Sequence, residues 1–277
     1  MTNNISFVED YESANYYDAL PGFDHNLFDY LYNDLGMNKN SIIADIGSGT
    51  GRLTYDFLNR GNTVYAIDPD ANMRTICENK CREFKNFISI NGTEENMNID
   101  ANSVDFVVAS QVFHRFNPDK FKLECKRVLK GKFNVIIIWY RVDFTNPIYS
   151  KMLASVKKRY SAYKTRYTTD EIQGAYLEEE ENNNDAQKFY DNRSKMATIE
   201  CKANLTHEEF MKLGLSLSLY PITHEMNTVS KVLESKEFNL EDYKNDLVEI
   251  FNQYSKDDVI TLPLKVQVHS YNDWQVY

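Results

Sequence analysis

The sequence of 277 residues predicts an α/β domain built on a doubly wound, mostly parallel sheet of seven strands, with N-terminal helices and one insertion. Three observations lead to this prediction. Apolar runs of strand length alternate with segments of helix length between residues 24 and 139. Each run is nearly continuous in apolar residues, as in Val135–Trp139, which is typical of strands covered on both faces. A glycine-rich turn at residues 47–51 directly follows the first strand.

The first predicted element is a helix that begins after Asp24 and ends at Gly36. Aspartate is a favoured N-cap, and glycine is favoured just past a helix end. The apolar residues with helical spacing are Leu27, Phe28, Leu31, Tyr32 and Leu35. The alternation then predicts strands at 42–46, 63–67, 87–91, 104–110 and 133–139, and helices at 52–59, 71–84 and 119–130. Asp70 is placed to cap the second of these helices and Gly131 to end the third.

The alternation stops after Trp139, where the charge pattern changes. Residues 151–169 contain six basic residues and no acid, namely Lys151, Lys157, Lys158, Arg159, Lys164 and Arg166. Residues 170–191 contain eight acids and a single basic residue, Lys188. We interpret 148–196 as an inserted helical and loop lid over the site, and 1–147 with 197–277 as the domain that carries it.

The C-terminal part resumes the domain. Thr206 and Glu209 have the spacing of a capping box, and Leu205 with Phe210 that of a hydrophobic staple. We expect this helix to end at Gly214 and another to begin after Asn239. Residues 259–262 and 264–270 have strand-like patterns, and Pro263 between them is expected to break or bulge the ladder.

Composition argues against several classes of protein. The formal net charge of −10 disfavours a nucleic-acid partner, because phosphate binding usually needs a basic surface. There is no apolar window long enough to span a membrane, and the first residues do not resemble a secretory signal. The four cysteines have no second Cys or His pair that would complete a metal site. We therefore predict a cytoplasmic protein with free thiols and no bound metal, and the sequence indicates no oligomeric state.

The turn after the first strand has the features of a nucleotide-like cofactor site. Glycines at 47, 49 and 51 let the backbone approach a ligand closely. Asp68 ends the second strand, where an acid can accept hydrogen bonds from a ribose diol. A dinucleotide fingerprint would need a third glycine where this chain has Arg52, so a nicotinamide cofactor is disfavoured. A turn that serves only helix–sheet packing is the alternative.

Two blocks of sequence resemble a known family. Asp45-Ile-Gly-Ser-Gly-Thr-Gly51 resembles the first motif of the class I S-adenosylmethionine-dependent methyltransferases, which have a Rossmann-like sheet. Residues 91–100 and 104–118 are similar to the third-strand and fourth-strand motifs of the small-molecule branch that includes trans-aconitate methyltransferase. Arg115 stands where that branch usually has Trp, and the Arg-Pro-x-Tyr-Pro element of the branch lacks its Arg here.

The resemblance implies S-adenosyl-L-methionine as cofactor and transfer of its methyl group to a small-molecule acceptor by in-line displacement. The residues that it places at the cofactor are Asp45, Gly47, Ser48, Gly49, Thr50, Gly51, Asp68, Pro69, Met73, Thr93, Glu94, Glu95, Ser110 and Gln111. It places His114 at the acceptor, as a candidate catalytic base or as an orienting group. For Met73, Glu95 and His114, packing or solvated positions are the alternatives.

One other function remains open from the sequence. A protein that binds S-adenosylmethionine or S-adenosylhomocysteine without methyl transfer would need the same cofactor motifs. A nucleic-acid methyltransferase is disfavoured, because Ser110-Gln-Val-Phe113 is not the Asp/Asn-Pro-Pro-Tyr/Phe motif expected after the fourth strand.

Overall fold

The computed structural model describes residues 22–141, 143, 145–159, 186, 188–191, 194–223 and 239–270. These residues form a seven-stranded sheet in the order β3-β2-β1-β4-β5-β7-β6. The strands are β1 (Ile42–Ile46), β2 (Thr63–Ile67), β3 (Phe87–Ile90), β4 (Phe106–Ser110), β5 (Val135–Arg141), β6 (Lys195–Thr206) and β7 (Val259–Ser270). The first five pair in parallel, and β7 is antiparallel to both β5 and β6. The predicted fold class, a mostly parallel Rossmann-like sheet, is confirmed.

Seven α-helices are described around this sheet. They are α1 (His25–Asp29), α2 (Arg52–Asn59), α3 (Ala71–Cys81), α4 (Pro118–Val128), α5 (Pro147–Arg159), α6 (His207–Thr223) and α7 (Leu240–Tyr254). A π-helical turn, Tyr30–Asp34, extends α1 towards Gly36, whose φ is +77°. Asp24 and Asp70 cap α1 and α3 as predicted, since Asp24 accepts the Asn26 N–H and Asp70 accepts the N–H groups of Asn72 and Met73. None of the described helices is long and apolar enough to cross a membrane.

The core lies on both faces of the sheet. On one face, α2 and α3 cover the sheet with residues such as Phe57 and Cys77, and this cluster continues into α5, α6 and α7. On the other face, Phe121 of α4 packs with Phe189 and Tyr190 from the segment before β6. Because β1, β4 and β5 are covered on both faces, their nearly continuous apolar runs are explained. The strand order reverses between β1 and β4, which places a crevice at their carboxyl ends.

The edge strand β6 was not predicted as a strand. All twelve of its residues pair with β7, from Lys195 opposite Ser270 to Thr206 opposite Val259. The sequence signal was its period-2 pattern, in which Cys201, Ala203 and Leu205 point inward between exposed neighbours. The alternation of apolar and polar residues was weak because Cys201 and Ala203 have short side chains.

The prediction that Pro263 interrupts the last strand was wrong. β7 is continuous from Val259 to Ser270, and Pro263 pairs opposite Lys202. The neighbouring β5 reaches only as far as Lys265, so Pro263 lies beyond the segment that bonds on both sides. The carbonyl of Pro263 instead accepts a hydrogen bond from the Tyr149 hydroxyl at 3.1 Å.

The predicted end of α6 at Gly214 was also wrong, because the helix continues to Thr223. Gly214 is needed for close packing: a Cβ there would lie 2.7 Å from Leu247 Cδ1 of α7. The Tyr243 hydroxyl donates to the Gly214 carbonyl at 2.8 Å across the same contact. The capping box at the start of this helix is confirmed, with Glu209 Oε2 accepting from the Thr206 N–H at 2.8 Å.

Part of the predicted lid, 148–196, falls on described residues. α5 packs with Tyr149 and Met152 in the first core cluster, and Ser155 donates to Asp246 of α7 at 2.7 Å. At the other end, β6 begins at Lys195. Residues 160–185, which include Lys164 and Arg166, lie outside the described residues. Other element boundaries differ from the predictions by two or three residues: β4 begins at Phe106, β5 at Val135, α3 ends at Cys81 and α4 at Val128.

Candidate functional site

The glycine turn lies between β1 and α2, at the crevice. Gly47, Gly49 and Gly51 have φ values of +68°, +56° and +77°, in the left-handed region that favours glycine. The N–H groups of Gly47 and Ser48 donate to the Ile67 carbonyl at 2.8 and 3.1 Å. These bonds hold the turn against the carboxyl end of β2.

Two of these glycines are also needed for space. A Cβ on Gly51 would overlap Cys77 Sγ of α3, and a Cβ on Gly47 would lie 2.8 Å from the Val112 Cγ atoms. α3 and the segment after β4 therefore approach the turn from two directions. These two glycines therefore allow the close packing that the sequence offered as an alternative explanation. The same glycines also leave the backbone of the turn accessible to a ligand.

Asp45 lies beneath the turn and is 1% exposed. One of its oxygens, Oδ2, accepts a hydrogen bond from Thr54 Oγ1 of α2 at 2.6 Å. Burial raises the pKa of Asp45 to about 7; the Thr54 hydrogen bonds oppose this shift, and the nearby Asp68 carboxylate adds to it. Asp45 thus links β1 to α2 through its hydrogen bond to Thr54. Because the carboxyl is buried, its desolvation costs more free energy when it is ionised than when it is protonated.

Asp68 connects β2 to the turn through both carboxylate oxygens. Oδ2 accepts the Gly49 N–H at 2.9 Å, and Oδ1 accepts the Asp70 N–H at 2.8 Å. Burial raises the pKa of Asp68 to about 6, against these two bonds, which lower it. A carboxylate has about four acceptor positions, so each oxygen retains capacity for a further donor such as a hydroxyl.

The predicted residues on the far side of the crevice are divided between core and surface. Met73 of α3 is 7% exposed, and Pro69 is half-buried beside Asp68. Thr93 forms a backbone bridge with Asn96. Glu94 accepts the Asn117 N–H at 3.2 Å, and Glu95 forms an ion pair with Lys120 at 2.8 Å. Both acids therefore connect the segment after β3 to the start of α4.

The end of β4 carries the other predicted residues. Ser110 is half-buried, and Gln111 has a φ of +60°, which is unusual for a residue other than glycine. The Gln111 backbone N–H donates to the Ile138 carbonyl at 2.9 Å. His114 is exposed on a short 3₁₀ turn, Phe113–Arg115, and its ring centroid lies 5.7 Å from that of Trp139.

Sequence reasoning missed an aromatic wall at the start of α2. Phe23 stacks on Tyr140 of β5 with ring centroids 4.7 Å apart, and the Arg52 guanidinium lies 5.7 and 5.8 Å from the two rings. In the sequence, the one feature that pointed to this wall was Arg52, which stands where a dinucleotide-binding fingerprint has its third glycine. Since Phe23 precedes α1, only the tertiary fold brings it here.

The turn fits a cofactor with hydroxyl and amino-acid groups. The hydroxyl of Ser48 is buried without a hydrogen-bond partner among the described residues, so it is available to a ligand. The glycines at 47, 49 and 51 have no side chain that would keep a ligand away from the backbone. Asp68 can still accept further hydrogen bonds, for example from ligand hydroxyl groups. Over the described part of the chain, no cluster of three or more His, Cys, Asp or Glu residues has the arrangement of a metal site.

Comparisons with known proteins agree with this geometry. Residues 44–136 match the family model described as a methyltransferase domain, a range that includes every predicted cofactor residue and His114. An uncharacterized methyltransferase of Mycobacterium tuberculosis is 32% identical over 101 residues, which cover 36% of this chain and 40% of that protein. One from Schizosaccharomyces pombe is 27% identical over 146 residues, 52% of this chain and 57% of that protein. The chain thus spans less than two thirds of either relative.

A solved structure extends the likeness beyond the matched segment. A protein of Anaeromyxobacter dehalogenans, described provisionally as a type II methyltransferase, aligns with a TM-score of 0.58 over 91% of this chain and 97% of its own. At 14% identity this similarity shows the fold alone. The resemblance to methyltransferases is therefore confirmed over residues 44–136, and the closer likeness to the trans-aconitate branch stays a prediction.

Proposed function

We propose that this protein is an S-adenosyl-L-methionine-dependent methyltransferase that methylates a small-molecule acceptor by in-line displacement. The observation that carries the proposal is the glycine turn fixed to Asp68 through the 2.9 Å bond from the Gly49 N–H, inside the segment that matches a methyltransferase domain. When bound, S-adenosylmethionine supplies an electrophilic methyl group on a sulfonium. The task left to the protein is to bind, align and exclude water.

The residues at the crevice divide this task. Asp45, Ser48, Thr50 and the three glycines hold the amino-acid part of the cofactor, and Asp68 accepts hydrogen bonds from the ribose diol. Pro69, Met73, Thr93, Glu94 and Glu95 surround the adenine. Ser110 ends β4 and Gln111 follows it, next to the reacting methyl. Asp68 is already fixed by two backbone N–H groups, so little ordering of its side chain is needed on binding.

The acceptor lies, in this proposal, between the ends of β4 and β5. His114 is on the turn that follows β4, and as a neutral imidazole it can accept a proton from a hydroxyl or amine acceptor. Residues 148–196 act as the lid over this space, anchored through the buried face of α5. The net charge of −10 favours a small molecule over a nucleic acid as acceptor.

Radiolabel transfer tests the proposal. The purified protein is incubated with S-adenosylmethionine carrying a tritiated methyl group and a metabolite extract, and labelled small molecules are separated and counted. We expect a labelled product with the native protein and with Glu241→Ala, an exposed acid of α7, and much less product with Asp68→Ala at limiting cofactor concentration.

The alternative, a cofactor-binding protein without transfer, gives a different result. It predicts binding of S-adenosylhomocysteine by calorimetry together with no labelled product. If the native protein binds neither S-adenosylmethionine nor S-adenosylhomocysteine, both functions are excluded.

A further inference from the structure

An unusual group of hydrogen-bond donors lies where β4 and β5 end. Ser110, the last residue of β4, pairs with Ile138, and the N–H of the following residue, Gln111, donates to the Ile138 carbonyl. Gln111 and Trp139 therefore follow paired positions on neighbouring strands. Trp139 belongs to the second core cluster with Ile137, and Arg141 follows on the same face by strand alternation.

Trp139 has a buried donor that the protein leaves unused. Its side chain is 3% exposed, and Nε1 has no hydrogen-bond partner in the described ranges. Buried indole N–H groups usually find an acceptor, since an unsatisfied one keeps the cost of its desolvation. Because this unpaired N–H lies near the ends of β4 and β5, we expect a ligand to supply its acceptor.

Gln111 provides a second unused donor. Its side-chain Nε2 is also buried without a partner over the described part of the chain. Its φ of +60° is a strained conformation for glutamine, of the kind that accumulates at functional sites. Both unused groups are N–H donors, so the matching ligand group is rich in acceptor oxygens.

One positive charge, that of Arg141, lies beside Trp139. The Arg141 guanidinium lies 5.9 Å from the Trp139 ring centroid and donates through Nε to Gln267 Oε1 at 2.7 Å. Burial, and then the positive charge of Arg141, lower the pKa of His269 on the neighbouring strand to about 4. Arg141 is itself only 9% exposed, so its field is weakly screened by water.

We infer that the acceptor carries an anionic oxygen group, a carboxylate or a phosphate, that accepts the indole N–H of Trp139 beside the Arg141 guanidinium. This inference rests on the proposed function and adds the chemical class of the substrate. Nε1 of Trp139 is buried and the exposed His114 ring lies 5.7 Å from the Trp139 ring, so the proposed path of the anion to Nε1 passes the His114 turn.

The indole N–H itself reports on the test. In a ¹H–¹⁵N spectrum of the full chain, two indole signals arise from Trp139 and Trp274, and Trp139→Phe assigns them. Protein saturated with S-adenosylhomocysteine is titrated with succinate, with inorganic phosphate and with neutral succinamide at constant ionic strength. We expect a saturable shift of the Trp139 signal with one or both anions and none with succinamide; the anion that saturates at lower concentration identifies carboxylate or phosphate.

Variants of Arg141 test whether its positive charge binds the anion, independently of any effect on folding. Arg141→Gln should weaken the anion titration by roughly tenfold or more, as for a charge-assisted bond. Arg141→Lys should retain part of the affinity, and Lys256→Gln, an exposed cation far along the chain, should match the native protein. Calorimetry with S-adenosylhomocysteine on the same samples checks that each variant is folded.

The outcomes distinguish this inference from the proposed function. If S-adenosylhomocysteine binds but neither anion moves the Trp139 signal, the anionic subsite is wrong and the proposed function stands. The subsite is also wrong if succinamide shifts the signal as strongly as succinate does. If the anion titrates but S-adenosylhomocysteine does not bind, the proposed function fails instead.

Discussion

The carboxylate of Asp68 closes the glycine turn, because its Oδ2 accepts the Gly49 N–H at 2.9 Å while its Oδ1 accepts the Asp70 N–H at 2.8 Å. One side chain at the end of β2 therefore fixes both the turn after β1 and the first residues before α3.

Asp68→Ala should weaken binding of S-adenosylhomocysteine by roughly 1.5–3 kcal/mol, the range for a hydrogen bond to a charged group. The loss has two sources, since the ribose loses its acceptor and the Gly49 N–H loses its anchor. Isothermal titration calorimetry measures it, with Glu241→Ala as the control for removal of an exposed acid. Equal affinities for a folded Asp68→Ala and the native protein would contradict the assignment.

Asp45→Asn should stabilise the protein without cofactor at alkaline pH. The pKa of Asp45 is raised to about 7 in the folded state, so its contribution to stability is complete below the unfolded pKa near 4 and is lost as pH rises through about 7. Asparagine retains an acceptor for Thr54 and does not ionise. The gain in unfolding free energy at pH 8 should be on the order of 2–4 kcal/mol.

Urea unfolding of both proteins at pH 5 and pH 8 measures this difference. The native protein should lose stability relative to Asp45→Asn between the two pH values. The same variant should bind S-adenosylhomocysteine more weakly, because it lacks the charge proposed to hold the amino-acid part. A difference in stability that does not change with pH would refute the raised pKa.

Gly51→Ala should be more harmful than Gly131→Ala, although both glycines have a φ of +77°. Alanine in the left-handed region costs roughly 1–2 kcal/mol at either position. Only at Gly51 does the new Cβ also overlap Cys77 Sγ, and overpacking of this kind adds about 1–3 kcal/mol. Urea denaturation of the two variants measures the difference.

A second variant isolates the steric part. Cys77→Ala in the Gly51→Ala background should recover stability relative to Gly51→Ala, because the overlapping sulfur is removed. If Gly51→Ala and Gly131→Ala cost the same, the contact between the turn and α3 does not constrain position 51.

His114→Ala should lower turnover by roughly 10²-fold or more if the imidazole acts as a general base. Its exposed position on the 3₁₀ turn predicts little effect on folding or on S-adenosylhomocysteine binding. His207→Ala is the matched control, since His207 is also exposed and its ring contacts an aromatic ring, Phe251. Initial rates of tritium transfer from pH 5 to 9 test the role, and full activity in His114→Ala would make the residue part of the scaffold.

The sequence alone determined the strand–turn–helix units, because their signals are local. Nearly continuous apolar runs identified the five parallel strands, and the caps at Asp24, Asp70 and the pair Thr206 with Glu209 were read from neighbouring residues. The glycines of the 47–51 turn and the acid at Asp68 were recognised in the same way. Such features depend on a few consecutive φ and ψ angles and need no distant partner.

Tertiary structure decided the features that depend on distant residues. β6 exists as a long strand because β7 pairs with it along its whole length, and Gly214 continues a helix because Leu247 of α7 packs against it. The contact of Cys77 with Gly51 and the stack of Phe23 on Tyr140 also join segments far apart in the chain. Local pattern cannot specify these contacts, since each depends on how the packed elements approach one another in space.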